Sequence, residues 1–229
     1  MLTIIPTPIG NLKDITLRAL ESLKECDLVL CEDTRRTLKL LSHFSLSKKI
    51  LRYNEYSERS LHSAFAMIKS GKKAVLVSDS GSPCISDPGR KLVRLCREEG
   101  IRVVSLPGPS ALTAAAAGSG LPVDSFVFLG FLPKSGTRAR RILKKSFDLD
   151  KTVVIYASPH RLTSILELIS ETFGENTEMV VAREISKVFE EWICGKVKEL
   201  AHKLKERKVK GELVILLKRN EESNQGSEL

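Results

Sequence analysis

Residues 74–100 read AVLVSDSGSPCISDPGRKLVRLCREEG. The apolar run Ala74–Ser78 is a short strand, the Gly/Pro turn Asp79-Ser80-Gly81-Ser82-Pro83 ends it, and an amphipathic pattern over Asp87–Glu99 follows. Asp87 is expected to cap that helix, Pro88 to take its first position and Gly100 to stop it. A second turn of the same kind, Thr7-Pro8-Ile9-Gly10-Asn11-Leu12, follows the apolar Leu2–Ile5. Both turns therefore fall at the carboxyl ends of expected parallel strands, where open α/β sheets bind ligands.

The alternation extends along the chain. Strands are expected at Asp27–Cys31, Ile50–Tyr53 and Arg102–Leu106, with helices at Asp14–Lys24, Thr34–His43 and Glu58–Ser70. That order gives a mostly parallel sheet covered on both faces. After Pro107-Gly108-Pro109-Ser110 comes ALTAAAAG (residues 111–118), a helix with little side-chain bulk whose backbone can approach a packed neighbour or a ligand closely. A second strand set is expected at Phe126–Phe131, Thr152–Ala157, Met179–Ala182, Val188–Cys194 and Glu212–Leu217, with helices near Thr137–Phe147, His160–Phe173 and Lys196–Arg207. The six residues from Ala182 to Lys187 leave no room for a crossover helix, so those strands form an antiparallel hairpin and the second sheet is mixed. The expected fold class is α/β with two domains, 1–113 and 114–218, each a sheet flanked by helices. Residues 219–229 lack apolar residues before Leu229 and are expected to be a disordered tail.

Hydrophobic residues make up 42% of the 229 residues, enough for real cores, and no apolar run reaches the roughly 18 residues of a membrane span. No secretory signal is read at Met1–Pro8. Five cysteines without a CxxC pair argue against a disulfide framework or a zinc site and fit a reducing cytoplasm, with no metal and no membrane. Cys84 stands apart from the other four because it lies inside a Gly/Pro turn.

The formal net charge is +9, and it is focused. Lys134, Arg138, Arg140, Arg141, Lys144 and Lys145 contribute +6 without an acid, and Lys196–Lys210 contributes +5. Such focusing favours a polyanionic partner; the alternative is the solvated face of a helix. Aromatic residues are only 5%, so recognition of an extended single strand by stacking alone is not expected.

Neither glycine turn is a Walker loop or a dinucleotide GxGxxG fingerprint, because a phosphate cradle needs several converging N–H groups. The carboxylate, hydroxyls and carbonyls of residues 79–89 instead suit hydroxyl, amine or sulfonium groups. Glu32-Asp33-Thr34-Arg35 lies at the carboxyl end of the second strand. It reads either as a helix cap or as a proton acceptor or ribose anchor (Glu32, Asp33) with a phosphate contact (Arg35). Glu184 and Lys187 form a competing acid/base set, in which Lys187 is either a base of lowered pKa or a phosphate clamp, with a surface ion pair to Glu184 as the alternative. His160 and Arg161 open a helix after Pro159 and could bind a phosphate.

PTPIGNLKDIT, CEDTRRT, VSDSGSPCISDPG, LPGPSALTAA, SGLP, GFLP, SPHRL, AREISKVFEE and KGELV occur in the order found in bacterial 16S ribosomal RNA (cytidine-2'-O)-methyltransferases of the small-subunit methyltransferase I type. The chain resembles these members of the tetrapyrrole methylase superfamily over residues 3 to 218. The resemblance implies a tetrapyrrole-methylase-like fold, a homodimer and S-adenosylmethionine folded into a cleft between two domains. It also implies 2'-O-methylation of a cytidine ribose in the decoding region of 16S rRNA, with the small ribosomal subunit as partner. Carried over by position, the cofactor residues are Pro8, Gly10, Asp79, Ser82, Ile85, Ser110, Ala111, Tyr156, Ala182 and Glu212. One departure stands out: Ala157 occupies the place where the family usually has glutamate ahead of the Pro-His-Arg element. A small-molecule, tetrapyrrole-type methyltransferase shares the cofactor residues but gives no reason for the basic stretch. A catalytically silent RNA-binding ribosome-assembly factor finds its support in Ala157.

Overall fold

The computed structural model describes residues 1–205, 207 and 209–218. The expected disordered tail, 219–229, lies outside them. The chain divides into two units, Met1–Ser110 and Ala111–Leu229.

In the first unit, β1 (Leu2–Ile5), α1 (Leu17–Glu25), β2 (Leu28–Cys31), α2 (Thr34–His43), β3 (Ile50–Arg52), α3 (Glu58–Lys69), β4 (Ala74–Val77), α4 (Arg90–Glu98) and β5 (Val103–Ser105) alternate without exception. The sheet order is β3-β2-β4-β1-β5 and every pairing is parallel. The three central strands, LTII, LVLC and AVLV, are buried at all positions because helices cover both faces. Leu61, Ala64 and Ile68 of α3 and Leu92 and Cys96 of α4 pack with Leu2, Leu28, Leu30 and Leu76. Ala19 and Leu23 of α1 and Leu41 of α2 pack with Ile5, Val29, Val75 and Val77 on the opposite face. Each large apolar side chain so buried contributes roughly 1.5–3 kcal/mol.

The second unit contains α5 (Ala111–Gly118), β6 (Phe126–Phe131), α6 (Gly136–Phe147), β7 (Thr152–Ala157), α7 (Leu162–Phe173), β8 (Glu178–Arg183), β9 (Glu191–Lys196), α8 (Val197–Lys205) and β10 (Leu213–Lys218). Its sheet, β6-β7-β10-β8-β9, is mixed: β6 and β7 are parallel, and the remaining pairs are antiparallel. Side chains of α6, α7 and α8 fill one face and α5 covers the other. The small residues of α5 serve a packed neighbour within this unit: Ala115 is fully buried, and a Cβ on Gly118 would lie 2.5 Å from the Trp192 ring. Because α5 packs as a whole on this sheet, the units separate at its first residue, three positions before the expected 113/114 boundary.

The structure departs from the sequence reading at several element ends. Asp87 and Pro88 do not open α4, which begins at Arg90 after the N-cap Gly89. Gly89 has φ +139°, and a Cβ there would lie 2.6 Å from both Cys84 Sγ and Leu76 Cδ2, so this backbone and this close approach both require glycine. Gly100, at φ +68°, follows the helix end as expected. A 3-10 turn at Leu12–Asp14 delays α1, which Thr16 caps by accepting from the Ala19 amide at 3.1 Å. β9 starts at Glu191 instead of Val188, because the hairpin between β8 and β9 is a wide turn with Glu184 and Ser186 both at positive φ.

β6 contains a bulge. Its pairing with β7 shifts between Phe128 and Gly130, leaving Leu129 as the extra residue. The shift places Phe131 opposite Tyr156, and the Tyr156 ring lies 4.8 Å from Phe128 and 5.5 Å from Phe131.

Candidate active site

The two glycine turns of the first unit are bonded to each other. Thr7 and Gly81 form an antiparallel bridge in which each amide donates to the other's carbonyl at 2.9 Å. Ser78 Oγ donates to Gly81 O at 2.7 Å and Thr7 Oγ1 to Ser78 O at 3.1 Å, so the buried hydroxyls lock the turns from beneath. Ser82 Oγ donates to Pro109 O at 3.3 Å, which adds the Pro-Gly-Pro-Ser segment. The structure thus brings the segments of Pro8, Gly10, Asp79, Ser82 and Ser110 to one sheet edge.

The acidic turn after β2 joins the same network. Asp79 Oδ1 accepts from the Asp33 amide at 3.2 Å, and Arg36 Nε lies 3.8 Å from Asp79 Oδ2. Asp33 is the cap of α2: its carboxylate accepts from the Arg35 amide at 2.9 Å, Arg35 Nε at 3.2 Å and the terminal guanidinium nitrogen at 2.9 Å. The Arg35 side chain, followed by its amide, holds the Asp33 pKa down at about 2. Asp33 is therefore a poor proton acceptor, whereas Glu32 is exposed with no partner among the described residues.

A groove of about 620 Å³ opens beside these turns, lined by Pro6, Ser82, Pro83, Ile85, Leu106 and neighbouring residues of α4. Ser82 and Ile85 of the expected cofactor residues thus line one cavity, of a size typical for small-molecule sites. A smaller one, about 200 Å³, is lined by Pro8, Arg36, Asp79 and others. Cys84 is structural: burial, then the charges of Glu55 and Asp87, push its thiol up to about 11, which leaves little thiolate at neutral pH.

In the second unit, Ala111, Tyr156 and Ala182 belong to one apolar cluster on the α5 face of the sheet. The Ala182 methyl is fully buried and its backbone lies in the ladder between β9 and β10, so its place here is in the core. Ala157, one residue beyond Tyr156, points to the opposite face and is 3% exposed among Leu132, Leu162 and Leu213. The side chain at this position faces the core of the second unit.

Glu184, Lys187 and Glu212 form a tight cluster. Lys187 Nζ lies 2.8 Å from Glu184 Oε1 and 3.0 Å from Glu212 Oε2, and Glu184 Oε1 also accepts from the Glu212 amide at 2.8 Å. Burial alone would lower the Lys187 pKa, but the hydrogen bonds to Glu184 and Glu212 outweigh it and raise the value above that of a free lysine. Burial likewise favours a raised pKa at Glu184, and the Lys187 and Glu212 hydrogen bonds reverse it. The reading of Lys187 as a base with a lowered pKa is therefore corrected to that of an ammonium clamped by two carboxylates.

The basic residues sort into two groups. Lys134, Arg138, Arg141, Lys144 and Lys145 are exposed and have no ion-pair partner among the described residues, while Arg140 pairs with Glu171. His160 is exposed, but Arg161 is half-buried, donating to Leu132 O at 2.5 Å and Pro133 O at 2.6 Å. Its expected phosphate contact is replaced by a clamp on the Gly-Phe-Leu-Pro segment. In the second basic stretch Lys198 pairs with Glu175 and Arg207 with Glu191, and residues 206 and 208 lie outside the described ones.

Comparison with known proteins decides the family. Residues 1–201 match the family model of tetrapyrrole (corrin/porphyrin) methylases. The chain is 46% identical to the ribosomal RNA small subunit methyltransferase I of Thermotoga maritima over 94% of this chain and 97% of that one. It belongs to the ribosomal RNA small subunit methyltransferase I family. The family member of Escherichia coli O157:H7 is 44% identical over 94% of this chain and 77% of its own length. Among solved structures, the methyltransferase CobJ shares the fold with a TM-score of 0.73 at 18% identity, covering 95% of this chain and 93% of its own. The uroporphyrin-III C-methyl transferase of Thermus thermophilus complexed with S-adenyl homocysteine gives 0.65 at 19% identity, over 94% of this chain and 96% of that one.

Sequence reasoning missed two residues that organise this family member's site edge. Glu55 Oε2 accepts from the Gly89 amide at 2.5 Å and so ties the loop after β3 to the turn after β4. Its position just past a strand end was the available signal. Arg36, beside Asp79, carries no such signal, because the lateral order β2-β4 that makes them neighbours is not local information.

Proposed function

We propose that this family member transfers the methyl group of S-adenosylmethionine to the ribose 2'-hydroxyl of a cytidine in the decoding region of 16S rRNA, on the small ribosomal subunit. The observation that carries an RNA substrate is the row Arg138, Arg141, Lys144 and Lys145 on α6, exposed and unpaired among the described residues, in a chain so close to relatives named for ribosomal RNA. A homodimer working in the cytoplasm completes the reading.

The residues present fit the donor. The turns at Pro8–Gly10 and Asp79–Ile85 offer a carboxylate, hydroxyls and apolar walls without a pyrophosphate cradle, which suits a nucleoside carrying amine and sulfonium groups. The sulfonium makes the methyl group electrophilic when the donor is bound. What the protein supplies is in-line placement of the ribose oxygen, worth roughly 7–11 kcal/mol of a barrier, and an acceptor for its proton. Glu32 is the carboxylate left unengaged for that proton, Asp33 and Arg35 shape the loop beside it, and the Glu184–Lys187–Glu212 cluster fixes the β8–β9 hairpin against the Lys-Gly-Glu-Leu segment.

The test is transfer of radiolabelled methyl from S-adenosylmethionine to small subunits lacking the modification, with naked rRNA and no-RNA controls. Label in one alkali-resistant dinucleotide supports ribose methylation. No label despite binding of donor and subunit overturns it in favour of a silent assembly factor.

A further inference from the structure

Tyr56 differs from the other two tyrosines of the chain. Tyr53 is 1% exposed in the core and Tyr156 packs edge-to-face with Phe128 and Phe131, whereas Tyr56 is 90% exposed. It lies in the loop after β3, at the carboxyl edge of the first sheet, and β3 pairs with β2. The Tyr53 amide donates to Cys31 O at 2.7 Å, so this loop runs beside the Glu32–Asp33 turn.

The loop is held in shape before any ligand arrives. The Tyr56 amide donates to Asn54 Oδ1 at 2.9 Å, the Asn54 amide to Ser60 Oγ at 2.9 Å and the Ser57 amide to Asn54 O at 3.1 Å. Glu55, immediately before Tyr56, grips the Gly89 amide of the turn after β4. A rigid backbone presenting an aromatic ring to solvent loses little conformational freedom when that ring is covered. The exposed Arg52 and Arg59 flank the loop with no ion-pair partner among the described residues, whereas Arg35 of the neighbouring turn is held by Asp33.

We propose that Tyr56 stacks on an unpaired RNA base adjacent to the methylated nucleotide. The inference rests on the RNA reading above and deepens it by naming a contact on the first unit. Sequence-specific RNA recognition uses unstacked bases laid on aromatic rings beside phosphate-binding arginines, and one exposed tyrosine is enough for one base. The ring, not the hydroxyl, makes this contact.

The experiment is steady-state methyl transfer to undermethylated small subunits by wild type, Y56A, Y56F and Y56W, with donor affinity measured separately. Y56A is expected to raise KM for the subunit about tenfold, with kcat within about twofold and donor affinity unchanged, while Y56F and Y56W restore the wild-type KM because the ring is retained. An unchanged KM in Y56A overturns the stacking role alone. Weakened donor binding in Y56A also overturns it, assigning the loop to support of the turn after β4. Absence of transfer by the wild type overturns the RNA reading on which the proposal stands.

Discussion

The Asp33 amide donates to the Asp79 carboxylate at 3.2 Å, joining the turns after β2 and β4 across the edge of the first sheet. Asp79 thus fixes the start of α2, lies 3.8 Å from Arg36 and remains 28% exposed. D79N keeps an acceptor for the amide and loses the charge; D79A loses both. A charge-assisted hydrogen bond contributes about 1.5–3 kcal/mol when well buried and less at this exposure. D79A is expected to lower the melting temperature and weaken donor binding at least tenfold, while D79N leaves melting near wild type and still binds the donor poorly. Calorimetric titration with S-adenosylhomocysteine, paired with thermal melts, checks both.

The clamp at Lys187 has a pH signature. The folded pKa of Lys187 is raised, so its contribution is full below the unfolded lysine value and is lost as pH rises through the folded one. The folded pKa of Glu184 is lowered, so its contribution is present above the ordinary value of 4.5 and is lost as pH falls through the folded one. K187M is expected to cost about 1–2 kcal/mol, a difference constant between about pH 6 and 9 and shrinking below about pH 4. Urea unfolding at several pH values measures it; a difference that grows in acid contradicts the clamp.

Arg161 and the α6 cations predict opposite salt behaviour. Arg161 holds two carbonyls, so R161A is expected to destabilise the protein by about 2–3 kcal/mol and R161K by less, with the salt dependence of RNA binding unchanged for R161K. Replacing Arg138, Arg141, Lys144 and Lys145 together by alanine is expected to leave melting within about 0.5 kcal/mol. It should also flatten the log–log salt slope of subunit binding by about 3. Filter binding between about 50 and 200 mM salt separates the two.

Gly118 ends α5 against Trp192. Helix propensity alone predicts that G118A stabilises by up to about 1 kcal/mol. The added Cβ would lie 2.5 Å from the indole, and overpacking of that kind costs about 1–3 kcal/mol, so net destabilisation is expected with a change in the emission of the chain's one tryptophan.

Much of the fold was legible because its signals are local. Leu2–Ile5, Phe126–Phe131 and Thr152–Ala157 show as apolar runs between turn residues, and their ends agree with the structure. The start of α4 differs from the sequence reading because Asp-Pro-Gly offers a standard cap, whereas the Gly89 backbone, at φ +139°, is not helical and the helix begins after it. At the site, the turns were visible as Gly/Pro clusters, but the partners of Asp79, Lys187 and Arg161 were not. Those pairings depend on which strands lie side by side and on how the β8–β9 hairpin folds back, and sequence spacing encodes neither.

The extra residue in β6 has a further effect. β6 is an outer strand of the second sheet, with β7 on one side only, and an outer strand that is flat and apolar invites pairing with the edge of another molecule. Its sequence Phe-Val-Phe-Leu-Gly-Phe is apolar enough to do so. The bulge at Leu129 and the positive φ of Gly130 bend the strand and break its regular hydrogen-bond repeat, so the irregularity that sets Phe131 beside Tyr156 also guards this edge against aggregation.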